Sequence, residues 1–216
     1  MPETNETNRL RVVAVSGSLH DPSKTTALLE EILATLGEVL PIDPHLIRVH
    51  ELGPQFAGTL ARSGLPDEVE AELRAIESAD LLVVASPVYR ASFTGLFKHL
   101  FDFVDQYALV DTPVLLGATG GSERHSLIIE HQLRPLFGFF QALTLPVGIY
   151  AHDSDFTQYV VTAPLLKERI ATAINRGLPL IRSSITERER IQRALNGEDT
   201  ETLPAVDPQK PVRLYS

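Results

Sequence analysis

Five short apolar runs of strand length, rich in β-branched residues, alternate with stretches of helical spacing. The runs are Leu10 to Val15, Leu46 to Val49, Leu81 to Ala85, Val114 to Ala118 and Val147 to Tyr150. Between them, Leu28, Leu29, Ile32, Leu33 and Leu36 share one helical face, and Val69, Leu73 and Ile76 share another. Pro66 followed by Asp67 and Glu68 marks a helix start. The spacing predicts further helices over Phe93 to Val104, Leu127 to Leu143 and Leu165 to Ile174. Apolar strands alternating with helices imply a parallel sheet covered on both faces.

Five such strands fit an α/β, doubly wound, flavodoxin-like parallel sheet of order 2-1-3-4-5 with helices on both faces. The ligand site of that fold lies at the carboxyl ends of the strands. A length of 216 residues suits one domain, expected over residues 9–195. A disordered lead-in is expected over 1–8, and an extended tail over 196–216, where Pro204, Pro208 and Pro211 fall. The net charge of -9 disfavours binding to a nucleic-acid backbone or an anionic membrane. The absence of cysteine excludes disulfides, iron–sulfur clusters and thiol nucleophiles, so redox chemistry would need a bound cofactor. The histidines form no metal-binding motif, and no metal site is expected. The acidic start MPETNETNRL lacks an export-signal pattern, and a cytoplasmic location is expected.

Three loops leave predicted strand ends. The first, Ser16-Gly17-Ser18-Leu19-His20-Asp21-Pro22-Ser23-Lys24-Thr25, brings hydroxyls, a cation and backbone N–H groups to a helix start. A phosphate monoester needs those groups; an ordinary Ser/Thr-capped turn would use the same ones. The spacing after Gly17 matches neither a P-loop, since Pro22 stands where its second glycine belongs, nor a dinucleotide fingerprint, since position 19 is Leu. The second loop runs Ser86-Pro87-Val88-Tyr89-Arg90-Ala91-Ser92-Phe93-Thr94-Gly95, with Tyr89 offering a flat amphipathic ring. In the third, Thr119-Gly120-Gly121-Ser122, the glycines would let backbone approach a ligand. Together the three suit a flavin mononucleotide.

The segments GSLHDPSKTTALL, SPVYRASFTGLFKHLFDFVD and ATGGSERHSLIIEHQLRPLF resemble, in order and spacing, the NAD(P)H-dependent FMN reductases, over about Arg9 to Arg176. The resemblance is greatest to the reductases that serve alkanesulfonate and methanesulfonate monooxygenases. It implies that the FMN phosphate meets Ser16, Ser18, Ser23, Lys24 and Thr25. The ribityl chain and ring would meet Pro87, Val88, Tyr89 and Arg90, with Gly120, Gly121 and Ser122 opposite. It further implies hydride transfer from NAD(P)H to flavin N5 with no side chain as acid or base. At His131 it implies an extra helical residue that makes a π-bulge.

Three functions compete: an FMN reductase releasing reduced FMN to a monooxygenase, a flavin-retaining quinone, azo-dye or metal-ion reductase, and a non-enzymatic electron carrier. The loop from Arg90 to Thr94 leaves provision for a second ligand, which counts against the carrier. Seven of the nine Phe residues fall between Phe93 and Phe140, and Leu127 to Leu143 is apolar nearly all round. A homodimer or homotetramer built on the helices there is expected. The charged run Glu187 to Arg193 reads as a solvated helix face.

Overall fold

The computed structural model of the chain describes residues 9–197. The expected lead-in over 1–8 lies outside the described residues, as does the expected tail beyond its first two residues. The chain divides into two units, one ending at Ser184 and the other starting at Ile185.

Strands β1 (Leu10–Ser16), β2 (Ile42–Arg48), β3 (Leu81–Pro87), β4 (Pro113–Gly120), β5 (Leu143–Thr144) and β6 (Ile149–His152) form one sheet. Its order is β2-β1-β3-β4-β5, with β6 also on β4, and every pairing is parallel. This is the flavodoxin-like order expected. Val12 to Val15 and Leu81 to Ala85 are buried along both faces, so their continuous apolar runs reflect helices packed on each side of the sheet.

The fifth strand differs from expectation. Val114 pairs with Thr144 but Gly117 pairs with Ile149, so two additional residues are accommodated between β5 and β6. Pro146 lies in this break and has no N–H to give the ladder, which is why the strand does not run on through Val147.

Helices α1 (Lys24–Val39), α2 (Val49–Phe56), α3 (Asp67–Glu77), α4 (Gly95–Phe101), α5 (Arg134–Phe139) and α6 (Pro164–Leu195) cover the sheet or continue beyond it. Ser23 caps α1 by accepting from the Thr25 and Thr26 N–H groups, at 3.1 and 3.3 Å. The predicted helix from Leu127 to Leu143 is instead a π-turn, Ile129–Leu133, feeding the short α5. His131 sits inside that π-turn. Phe101 and Phe137, both buried, meet edge to face at 5.1 Å and join α4 to α5. A two-stranded hairpin, β7 (Phe156–Thr157) and β8 (Val160–Val161), was not anticipated.

Helix α6 passes through Pro179, well beyond the predicted end at Ile174. Its last buried residue is Ser184. The described residues of the second unit, 185–197, continue α6 to Leu195 with no buried side chain, and Arg190 pairs there with Glu187 at 3.7 Å. The last turns of the helix, in the second unit, bury no apolar face. No described helix is long and apolar enough to cross a membrane.

Candidate functional site

The sheet register brings four strand ends to one edge. Ser16 is level with Ala85, Pro87 with Thr119, and Gly120 with His152. Where β1 separates β2 from β3 the direction of winding reverses, and the connections from β1 and β3 diverge to leave a crevice.

A cavity of about 340 Å3 occupies this crevice, within the roughly 300–1,000 Å3 usual for small-molecule sites. One end is lined by Ser18, Ser23, Lys24 and Thr25 at the N-terminus of α1. Pro87, Val88 and Tyr89 line another side, and Gly120 and Gly121 a third. The predicted loops thus meet in one place. His20 of the first loop and Thr119 of the third also line the cavity, as do Asp153 and Tyr159, which lie outside the three loops. Thr119 bonds Thr25 through their hydroxyls at 2.6 Å. Tyr159 comes from the β7–β8 hairpin, giving the crevice a second aromatic side chain besides Tyr89.

Three predicted residues lie apart from the cavity lining. Ser16, at the end of β1, is fully buried and bonds Thr26 at 2.9 Å, so its hydroxyl braces α1 against the sheet. Ser122 caps a 3-10 turn by accepting from the Arg124 N–H, while its carbonyl accepts from the Tyr150 hydroxyl at 2.6 Å. Burial pushes the Tyr150 phenol above its usual range, and Asp153 and Glu123 add to that. Arg90 is exposed on a tight reverse turn closed by Tyr89 and Ser92, which exchange backbone hydrogen bonds at 2.8 and 3.0 Å.

That turn is strained. Arg90 and Ala91 have φ of 51° and 67°, a left-handed conformation costing about 1–2 kcal/mol for each residue with a Cβ. Ser92 ties it to the π-turn, its hydroxyl donating to Gln132 at 3.2 Å. The strained turn directs Tyr89 to the crevice and Arg90 to solvent.

The two glycines that line the crevice also leave space for neighbouring side chains. A Cβ on Gly120 would stand 2.5 Å from the Tyr150 hydroxyl, and one on Gly121 would stand 3.0 Å from the Asp153 carboxylate. Both positions make room for protein groups behind or beside the crevice.

Val88 also lines a second cavity of about 180 Å3, with Ala91, Arg124, His125, Leu127, Ile128, His131 and Gln132. Its ionisable lining residues are all bases. A larger cavity of about 680 Å3 lies along β6 and α6, but its one arginine, Arg169, is bound to Asp155 and to the Tyr150 carbonyl. It has no counterpart to the hydroxyl and lysine cluster, so the smaller crevice is the functional candidate.

The crevice fits FMN at the level of donor chemistry. Hydroxyls, an ammonium group and a helix N-terminus line the same cavity as a flat aromatic with apolar neighbours.

A family model of NADPH-dependent FMN reductases matches residues 10–157, which include β1 to β6 and the whole crevice apart from Tyr159. The chain is 56% identical over 171 residues to the NADH-dependent FMN reductase SfnF of Pseudomonas fluorescens (strain Pf0-1), covering 79% of this chain and 91% of that protein. It is 54% identical over 174 residues to an FMN reductase (NADPH) of Pseudomonas aeruginosa, covering 81% and 94%. Among solved structures, an oxidoreductase from Corynebacterium diphtheriae aligns with a TM-score of 0.69 at 32% identity, covering 81% of this chain and 98% of that one.

Proposed function

The chain belongs to the NADPH-dependent FMN reductase family, and from that membership we propose that it reduces FMN with NAD(P)H and releases the product to a separate flavin-dependent monooxygenase. The observation that carries this reading is the convergence of Ser18, Ser23, Lys24 and Thr25 opposite Pro87, Val88 and Tyr89 in one crevice.

In this reading Lys24, the three hydroxyls and the N-terminus of α1 hold the flavin phosphate. Pro87, Val88 and Tyr89 align the ring, with Tyr159 adding aromatic surface. When bound, FMN supplies the hydride acceptor, and the protein's task is to hold donor and acceptor face to face. The neighbouring basic cavity with Arg124, His125 and His131 suits the phosphates of the nicotinamide nucleotide. Relatives of nearly equal identity bear NADH and NADPH in their names, so we leave the proposal at NAD(P)H.

The apolar residues of α4 and α5 support association into a homodimer or homotetramer. Phe139 remains 64% exposed, and Leu136 and Phe140 lie beside it around a cavity with Phe101 and Val104.

Dialysed protein assayed anaerobically tests the reading. We expect NAD(P)H oxidation to be slow without flavin, to rise and saturate with added FMN, and to yield free reduced FMN. Protein that stays yellow through dialysis and reduces quinones at a rate indifferent to added FMN would instead be a flavin-retaining quinone reductase.

A further inference from the structure

Lys24 does not stand alone in the phosphate end of the crevice. Its ammonium group is 2.9 Å from Oδ1 of Asp153, which arrives from a part of the chain 129 residues away. Both side chains line the same cavity. Among the residues lining it, Lys24 is the single Lys or Arg and Asp153 the single carboxylate. A cradle for a dianion that also contains a fixed carboxylate is in electrostatic conflict with its own ligand.

The position of Asp153 is well supported. It opens a 3-10 turn after β6, in which the His152 N–H donates to Asp155 at 2.8 Å. Asp155 is in turn held by Arg169 at 3.0 Å, and Arg169 also donates to the Tyr150 carbonyl at 2.9 Å. On the other side, Gly121 leaves the space that the carboxylate occupies, since a Cβ there would approach Oδ2 to 3.0 Å. The ion pair is therefore the outcome of a braced turn and a glycine, on two strand ends that face the helix carrying Lys24.

We propose that Asp153 is a resident competitor for Lys24 that weakens binding of the flavin phosphate and so keeps FMN exchangeable. In the free protein it holds the ammonium group in an ion pair that the phosphate must compete with. When phosphate enters, Lys24 must be shared between two anions, and the carboxylate repels the newcomer. Asp153 is thus a positioning residue that acts through Lys24 and through charge. This inference rests on the FMN reductase reading given above, and it explains how a crevice with two aromatics and a phosphate cradle can still release its flavin.

Flavin fluorescence titrations of the full chain test it, with wild type, Asp153→Asn and the equally neutral Asp153→Ser. Both variants should bind FMN about tenfold more tightly than wild type at low salt, with slower dissociation. Riboflavin, which lacks the phosphate, should bind all three proteins alike. The gain for FMN should shrink as salt is raised from low to physiological ionic strength and above, because the lining is partly open to solvent. A purely structural role for Asp153 would instead change riboflavin affinity and leave no salt dependence. Equal or weaker FMN binding by the two folded variants, with wild type binding and turning over FMN, overturns the proposal and leaves the function standing. Wild type that fails to bind FMN overturns both.

Discussion

Lys24 supplies the charge that makes the crevice a phosphate site, and its loss should separate the phosphate's share of flavin binding from the ring's. A charge-assisted hydrogen bond contributes about 1.5–3 kcal/mol, so Lys24→Ala should weaken FMN roughly 10- to 100-fold in a fluorescence titration. Riboflavin affinity should change little; a parallel loss of both flavins would mean that Lys24 supports the ring or the fold. The sequence made Lys24 visible because it sits in a loop where hydroxyls crowd against a helix start. Ser16 belongs to the strand as much as to the loop, and the side chain of the last strand residue turns inward to Thr26. Asp153 and Tyr159 carry no local signature of ligand contact. They reach the crevice only once the register of β4 and β6 and the β7–β8 hairpin are known. Gly120 and Gly121 were noticed for their freedom, yet what they accommodate, Tyr150 and Asp153, comes from 30 residues further along the chain.

At the scale of elements, Arg62 fastens the connection before α3 to the helix itself. Its guanidinium makes two hydrogen bonds to Glu70, both 2.9 Å, contacts Glu77, and donates to the Phe103 carbonyl at 3.1 Å. Arg62 holds the Glu70 carboxyl down to about 2, below the usual carboxylate range, with Arg74 helping. A depressed folded-state value contributes stability that is present above the ordinary pKa of about 4.5 and is lost as pH falls toward 2. Glu70→Gln should therefore lower the thermal midpoint at pH 7 and converge with wild type as pH approaches 2. Urea or thermal unfolding at pH 7, 4, 3 and 2 checks it; a constant difference across that series would assign the effect to packing. Elements with strong periodicity were legible in advance: β1, β3, β4, α1 and α3 all appear where apolar spacing put them. Helix α2 was not, because Val49 was read as the end of a strand and Gly53 and Pro54 break its helical pattern. Helix α6, expected to end at Ile174, continues through Gly177 and Pro179, two residues that disfavour helix. Local breakers lose there to packing: Gly177 lies so close to Leu145 that an added Cβ would stand 2.6 Å from it.

At the scale of the whole molecule, the concentration of aromatics between Phe93 and Phe140 divides into two roles. Phe97, Phe101 and Phe137 are buried within the subunit, where they join α4 and α5 to the sheet. Phe139 is not, with 64% of its surface open, and Leu127 at the other end of the same segment is 59% open. Around Phe139 lie Phe101, Val104, Leu136 and Phe140, lining a cavity of about 500 Å3 whose charged members, Lys98 and Asp102, are already paired with each other. A large aromatic exposed over an apolar hollow is costly in water and is the usual mark of a surface that another chain covers. The π-turn at Ile129–Leu133 precedes α5, and through Ser92 and Gln132 it is tied to the turn that aims Tyr89 at the crevice. Association through α5 would thus brace the wall of the flavin site as well as cover Phe139. Phe139→Glu places a charge where the partner is expected and leaves the subunit core untouched. Light scattering should show a homodimer or homotetramer for wild type and a 216-residue monomer, folded by circular dichroism, for the variant. Wild type that stays monomeric at high concentration would remove the assembly from this account, and a variant that remains fully associated would move the interface away from α5.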